Sequence, residues 1–455
     1  MLSVDFKARM KDMLYDYEEF IKAMKNPPES GIRINEKKAG AVSEVLKVCG
    51  KLEKIEWCGS GYYADKNIIN GKHPYHHAGL FYFQEPSAMA VGEAADIRPD
   101  DKVLDLCAAP GGKSTHIGAK LGPDGLLVAN EVIPKRAAIL AENLERFGIN
   151  AVVLSEFPEK LEKRFAGFFD KIIVDAPCSG EGMFRKEEQA VTDWSLEHSA
   201  ACAVRQSAIL NSAAKMLAEG GYIIYSTCTF APCENEAVTD RFLNEHPEFE
   251  LCDIPFDMLS RGDGRYINSE RDFSETIRIF PHRNRGEGHF IARMKYNGIS
   301  GKYKPKAKGG RDTKEAEFVY RRFEKNFLNC SLNGEFELFG TNLYLRDKRI
   351  GSLDRLKTVR AGLHLGECIL SGRGNMRFEP SHALALYLNR DDIKYSVSYP
   401  ADSAEINAYL SGAEIKSDIT DGWCVVCVDG FNLGWGKASG GVIKNKYPKK
   451  LRNYQ

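Results

Sequence analysis

The sequence predicts an α/β protein built on a doubly wound parallel sheet, with a small α+β unit before it and a mixed α+β and β extension after it. Three observations carry this. Short β-rich runs alternate with helical ones between about residues 95 and 295, a Gly-rich loop joins the first of those strands to the first helix, and a Lys- and Gly-rich break near 298–313 ends the pattern.

Taken in order, residues 1–92 mix an amphipathic opening helix with the runs GIRIN, EKIEWC and GLFYFQ, which suits a small α+β unit packed on the larger domain after it. Residues 103–107, 127–130, 152–154, 172–175 and 222–226 read as buried strands, each brief, apolar and bounded by Gly, Pro or Asp. A helix is expected over 134–147, with Pro134 in its first turn and Gly148 past its end, and another over 201–217, stopped by Gly220 and Gly221. Residues 249–252 and 289–294 read as the last strands, which closes a domain spanning 93–297. Residues 298–316 read as a basic linker, 317–390 as an intermediate unit, and 391–455 as a small β module with an Asp429-Gly430 turn. There are no internal repeats.

Lys plus Arg equals Asp plus Glu, 63 each, so no net field announces a nucleic-acid partner and any such surface must be local. Two runs qualify: Lys302, Lys304, Lys306, Lys308 and Arg311, and an acid-free tail carrying Lys437, Lys444, Lys446, Lys449, Lys450 and Arg452. Either can equally be a solvated linker or tail. No stretch approaches a membrane span, and the opening residues carry acids that neither a signal nor a transit peptide favours, so a cytoplasmic monomer with no membrane partner is expected. The 12 scattered cysteines suit reduced thiols. Cys49, Cys58, Cys202, Cys252, Cys330 and Cys368 are expected to be core; Cys424 and Cys427 have metal-ligand spacing but face opposite sides of a strand, so no metal is expected.

The loop DLCAAPGGKST lies between strand and helix, where doubly wound sheets place cofactors. Ala108, Ala109, Gly111 and Gly112 allow close approach to the backbone, and the helix start favours a negative group. The GxGxxG of dehydrogenases is missing. A phosphate-binding GxxxxGK[ST] loop matches only at Gly112-Lys113-Ser114, because Cys107 stands at its first Gly position. Glu131, about twenty residues on, stands where such domains bind ribose hydroxyls, although it could simply cap the next helix.

Two further motifs follow strands and open onto the same sheet edge: DAPCSG, with Asp175 and Cys178, and STCT, with Cys228. Two thiols and a carboxylate at a cofactor site fit methylation of an unactivated pyrimidine carbon. A thiolate adds to carbon 6 of cytosine and makes carbon 5 enamine-like, a group at nitrogen 3 offsets the developing charge, and the thiolate is finally eliminated. Asp175 is placed for the nitrogen 3 task, and with a raised pKa it would donate a hydrogen bond. The chemistry alone does not rank one cysteine over the other.

At these residues the chain resembles the RsmB/RsmF branch of the Nop/Sun family of RNA cytosine-5 methyltransferases. DLCAAPGGKST, NEVIPKR, DAPCSGEGMFRK and STCTFAPCENE match its motifs in order, FYFQEPSAM and GEGHFIAR match its flanks, and the likeness covers essentially the whole chain. The resemblance implies a Rossmann-like core that binds S-adenosyl-L-methionine, Cys228 as nucleophile and Cys178 assisting product release. It also implies cofactor contacts from Cys107, Ala108, Ala109, Pro110, Gly111, Gly112, Lys113, Glu131 and Arg136, with Asp175 between cofactor and base. Where the family usually has an acid near the adenine this chain has Phe157, with Glu156 beside it as the substitute. Arg185 and Lys186 would face RNA, and so would Lys446, Lys449, Lys450 and Arg452 in a PUA-like C-terminal module. The expected partner is small-subunit ribosomal RNA, presenting a cytosine swung out of its stack. Transfer RNA, or a catalytically silent RNA-binding or assembly role, are the alternatives.

Overall fold

The computed structural model describes residues 2–65, 67–301, 303–305, 313–370 and 375–453; Lys302, Lys306, Lys308 and Arg311 of the first basic run lie outside them. Brief apolar strands buried on both faces pair in parallel. Lys102–Asp105 is central, with Leu126–Asn130 and Val152–Leu154 to one side and Phe169–Asp175 and Leu217–Thr227 to the other. The chain reverses its direction across the sheet at the central strand, which opens a crevice at the carboxyl ends of Lys102–Asp105 and Phe169–Asp175. His289–Tyr296 adds antiparallel beside Leu217–Thr227, followed by Ile277–Ile279 and Ser260–Arg261, and it also pairs with Phe249–Leu251.

The helix expected to stop at Gly220 and Gly221 ends earlier. Leu196–Met216 starts on Ser195, whose hydroxyl accepts the His198 amide, and the backbone is already extended at the buried Leu217. Gly220, at φ 72°, lies inside the following strand, where its left-handed backbone takes a bend before parallel pairing resumes.

The flanking units interlock with this sheet. Phe6, Met10, Leu14 and Phe20 of the N-terminal helical region share a core with Phe184, Trp194, Phe230 and Phe280, which lie on the loops beyond the parallel strands. The antiparallel sheet Gly61–Tyr63, Gly31–Ile34, Phe81–Phe83 comes next, and Asn35 donates to both Gly79 O and Phe147 O, tying it to the catalytic domain. At the C-terminal end, helix Lys314–Phe327 and the four-stranded sheet Glu335–Phe339, Asn342–Arg346, Leu363–Leu370, Met376–Pro380 pack on one face of a five-stranded sheet. Tyr320, Leu343 and Leu365 share that core with Trp423, Val425, Cys427 and Trp435, so the units on either side of residue 390 pack through one core. Cys424 and Val426, on the other face, join Ile32 and Ile34 of the N-terminal sheet. Cys424 and Cys427 thus occupy opposite cores, as strand alternation requires.

One element had no signal in the sequence. Thr358–Ala361 leaves the C-terminal region to pair antiparallel with Val152–Leu154, completing the edge of the catalytic sheet, while Ile350, Leu353 and Ala361 join its core. Gly362, at φ 115°, then carries the chain into Leu363–Leu370; a Cβ there would sit 2.5 Å from Leu345 O. Four residues with a single β-branched apolar side chain are too little to read as a strand, and only a non-local partner makes them one.

Removing residues 317–455 is therefore expected to destabilise the parallel-sheet domain, because it uncovers the Val152–Leu154 edge and strips part of the core. Thermal unfolding of the truncated chain should show a midpoint at least several degrees lower; an unchanged midpoint would mean that the edge strand adds nothing to the sheet.

Candidate active site

The loop after Lys102–Asp105 hangs from both neighbouring strands: Leu106 N–H donates to Ile173 O (2.9 Å) and Ala108 N–H to Asn130 O (2.8 Å). It enters helix Gly112–Lys120 through Gly111, whose φ of 113° needs glycine and whose Cβ would press on Leu140 Cδ1 at 3.2 Å. The first-turn amides of that helix have no acceptor within it, which leaves them for a ligand.

Glu131, 4 % exposed, accepts the Ile133 amide (3.0 Å) and pairs with Arg136 at 3.3 Å. Arg136 also donates to Ala109 O (2.9 Å), so it braces the acid against the Gly-rich loop. Glu156, expected as a cofactor contact, is bonded within the protein. Its Oε1 accepts Lys160 Nζ and the Lys357 amide (2.5 and 2.7 Å), and Asn130 bonds both its backbone N–H and its carbonyl. The incoming C-terminal segment, absent from any local reading, takes this acid up. Phe157 beside it is 64 % exposed.

Asp175 ends its strand with Oδ2 accepting Lys113 Nζ (2.8 Å) and Oδ1 accepting the Ser226 hydroxyl (2.9 Å). Burial works against its charge, but Lys113 and His289 outweigh that and hold the carboxyl well below the usual carboxylate range. The raised pKa considered from sequence is thereby corrected: Asp175 is an ionised acceptor. Lys113, in turn, serves Asp175 as well as the loop. The acid that burial does raise is Asp105, fully enclosed beside Asp175 and pushed up to about 7. The Ser114 hydroxyl donates to its Oδ2 (2.5 Å), and its Oδ1 has no partner.

Cys178 and Cys228 come together, their sulfurs 3.3 Å apart. The hydrogen bond with Cys228, reinforced by burial, pushes the Cys178 thiol well above its ordinary pKa. Cys107, on the cofactor loop, is also pushed up by burial. The two cysteine loops are locked by side chains that the sequence reading left without a role. Glu234, with no exposure, accepts the Ser179 amide and hydroxyl and Gln206 Nε2; Ser179 Oγ also bonds Thr229. Asn235 accepts the Thr227 hydroxyl and donates to Thr229 O, and Glu236 forms a fully buried pair with Arg278. Glu181 accepts Arg9, the Trp194 indole N–H and the Phe230 amide, fastening the first helix behind both loops. The available signal was the density of acids in CENE and SGEG immediately beyond buried strands, where only burial with partners makes such residues tolerable.

The residues expected to face RNA divide. Arg185 is corrected: its side chain is 5 % exposed, paired with Glu287 at 2.8 Å and bonded to Gly286 O, and it joins the N-terminal segment to the last catalytic strands. Lys186 beside it is exposed. In the tail, Lys449 and Lys450 are exposed; Lys450 reaches Glu142 of the catalytic domain, Lys446 lies 3.5 Å from Glu379 and 5.5 Å from the Trp423 ring centre, and Arg452 donates to Tyr447 O. Lys304 of the linker is exposed, next to Tyr303, which packs on Phe168.

All twelve cysteines are free. Cys58, Glu93 and His116 bring three metal-ligating atoms within 4.8 Å, but Glu93 already bonds His116, Cys58 and Lys120, so their own contacts account for the cluster. Among the described residues no helix is long and apolar enough to cross a membrane.

Comparison with known proteins matches four consecutive family models: the N-terminal domain of 16S rRNA methyltransferase RsmF over residues 2–86, 16S rRNA methyltransferase RsmB/F over 94–295, the RsmF rRNA methyltransferase first C-terminal domain over 322–388, and the methyltransferase RsmF PUA domain over 396–453. The ribosomal RNA small subunit methyltransferase F of Aeromonas salmonicida is 30% identical, covering 95% of this chain and 93% of that protein. The protein of the same name from Erwinia tasmaniensis is 30% identical over 98% and 96%. Among solved structures, PH0851 aligns with a TM-score of 0.58 at 26% identity, covering 64% of this chain and 66% of that one. NSun6 from Pyrococcus horikoshii aligns at 0.57 and 21%, over 65% and 98%, a likeness of fold. With the crevice, the paired cysteine loops and relatives matched along almost their full length, the chain belongs to the RsmB/RsmF family of ribosomal RNA methyltransferases, on its RsmF branch.

Proposed function

We propose that this protein transfers a methyl group from S-adenosyl-L-methionine to carbon 5 of a flipped-out cytosine in small-subunit ribosomal RNA, through a covalent bond to Cys228. The observation that carries this reading is a pair of thiols 3.3 Å apart beside an ionised carboxylate at the crevice of the sheet. The names of the relatives supply the ribosomal RNA.

The donor set fits the cofactor. A cationic nucleoside needs acceptors for its ammonium, sulfonium and ribose hydroxyls; Glu131, Asp175 and the unpartnered Oδ1 of Asp105 supply them, and the small residues 108–112 leave room at the backbone. When bound, S-adenosyl-L-methionine supplies the electrophilic methyl group. The remaining work belongs to the protein. Cys178, its pKa pushed well up by the contact with Cys228 and by burial, keeps its proton, and the Cys228 sulfur beside it is the nucleophile that adds to carbon 6. Asp175, an acceptor only, takes a hydrogen bond from the exocyclic amine of cytosine and not from the carbonyl that uracil carries there. For release, Cys178 passes its proton to solvent and then takes the proton from carbon 5 as the carbon 6–sulfur bond breaks and Cys228 leaves as thiolate. Exposed Lys186, Lys446, Lys449 and Lys450 are the phosphate contacts. The surface pairs that some of them make are weak enough to exchange for RNA.

Transfer of radiolabelled methyl to small ribosomal subunits, with bisulfite mapping of the product, tests the reaction; no label in any RNA despite cofactor binding would favour a non-catalytic assembly role. Cys228→Ala should abolish transfer and leave cofactor affinity within about threefold, whereas Cys178→Ala should accumulate a covalent protein–RNA adduct on denaturing gels. Adducts from Cys228→Ala and none from Cys178→Ala would exchange the two roles. Lys113→Met removes the charge that holds the Asp175 pKa down, so the ionised form is lost at higher pH and the acid limb of the rate profile should move upward. An unmoved acid limb would mean that the ionised form of Asp175 is not needed. Glu234→Leu, which removes neither cysteine, should cut transfer by roughly tenfold or more, since it frees Ser179 and Gln206 to rearrange; unchanged turnover would show the clamp to be dispensable.

A further inference from the structure

The cytosine chemistry leaves one task unassigned. As sulfur adds to carbon 6, the carbon 5–carbon 6 π pair shifts and negative charge grows on the ring at nitrogen 3 and oxygen 2. These atoms want a hydrogen-bond donor. Asp175 cannot be that donor, because Lys113 holds it ionised and a carboxylate only accepts.

His289 stands next to it. The residue opens the strand His289–Tyr296, whose second residue Phe290 pairs with Thr227, so the imidazole lies beside the turn that carries Cys228. Its side chain is 4 % exposed, and Nε2 lies 3.8 Å from Asp175 Oδ1, beyond hydrogen-bond reach. Neither ring nitrogen has a hydrogen-bond partner. A buried imidazole with both nitrogens unsatisfied is costly, and its neighbours account for the arrangement if a ligand completes it. Gly288, at φ 133°, is packed so closely on Phe230 that a Cβ would meet its ring at 2.4 Å, and Phe230 is itself fixed by Glu181. The imidazole is thus set by the same framework that sets the thiols.

We propose that His289 contacts the target base, with a ring N–H donating to nitrogen 3 or oxygen 2 of cytosine while Asp175 accepts from the exocyclic amine. The inference rests on the proposed cytosine reaction. It assigns the two halves of the base edge to two side chains, an acceptor and a donor side by side. The step forms the sulfur–carbon bond and moves the π electrons into the ring; the proton stays on the imidazole as a shared hydrogen, so no further reactant is needed. An imidazole ring carries at least one N–H, and one suffices. The competing explanation is an ordered water between His289 and Asp175, with no substrate contact.

The test compares wild type, His289→Phe and His289→Gln in methyl transfer to small ribosomal subunits, with kcat and KM separated and cofactor binding measured independently. Phe keeps the bulk and loses the donor; Gln restores an N–H. The expected result is a fall in kcat of roughly 10- to 100-fold for His289→Phe, recovered to within about tenfold of wild type by His289→Gln, with cofactor affinity and KM for RNA within about threefold. Wild-type turnover by His289→Phe, or equal losses in both variants, overturns the contact. Loss of cofactor affinity in both makes His289 a structural residue and also overturns it. A wild type that labels no cytosine defeats the functional reading first, and this inference with it.

Discussion

The geometry of the site depends on a carboxylate that has no access to water. Glu234 must find every one of its hydrogen bonds inside the protein, and it finds them on the Ser179 amide and hydroxyl and on Gln206. An unsatisfied buried polar group costs about 1–3 kcal/mol, and more when charged, so the arrangement that satisfies Glu234 is strongly preferred over its alternatives. That arrangement brings the loop of Cys178 against the loop of Cys228 and, through Thr229, fixes both. Asn235 and Glu236 extend the lock to Thr227 and Arg278. Three adjacent polar residues, none of them exposed, hold two thiols at 3.3 Å.

The same logic explains why the flanking units are inseparable from the catalytic domain. Glu181 satisfies itself partly with Arg9 of the first helix, Glu287 with Arg185 and the Glu29 amide, and Glu156 with the Lys357 amide. Each of these three acids reaches into another part of the chain. The N-terminal helices back the cysteine loops, and the C-terminal strand Thr358–Ala361 closes the sheet edge. RNA gripped by the outer units would therefore be held by units that bond directly to the loops around the crevice and to the sheet edge.

Charge is distributed with the same economy. The chain has no net charge, yet Lys113 is drawn into the site to keep Asp175 ionised, while Asp105 close by is pushed toward neutrality by burial. Two carboxylates in one crevice are thus driven in opposite directions, one by a cation and one by desolvation. An ionised Asp175 is an acceptor only, so the proposed reaction calls on a separate donor.

Much of this was legible in the sequence because it is local. Five parallel strands, the Gly-rich loop and the Pro134–Arg146 helix are set by short apolar runs and by Gly and Pro at their ends, and the motifs placed Asp175, Cys178 and Cys228 at strand termini that open on one edge. Periodicity and turn chemistry act within a few residues, so a single chain reveals them. What the tertiary structure alone decided is the fate of the charged groups. Lys357 and Glu287, 201 and 102 positions away in sequence, bond Glu156 and Arg185, and His289 looks like an ordinary strand residue until it is found 3.8 Å from Asp175 with no hydrogen-bond partner on either ring nitrogen. A buried charge is stabilised only by whatever the fold brings next to it, and that neighbour can lie anywhere in the sequence.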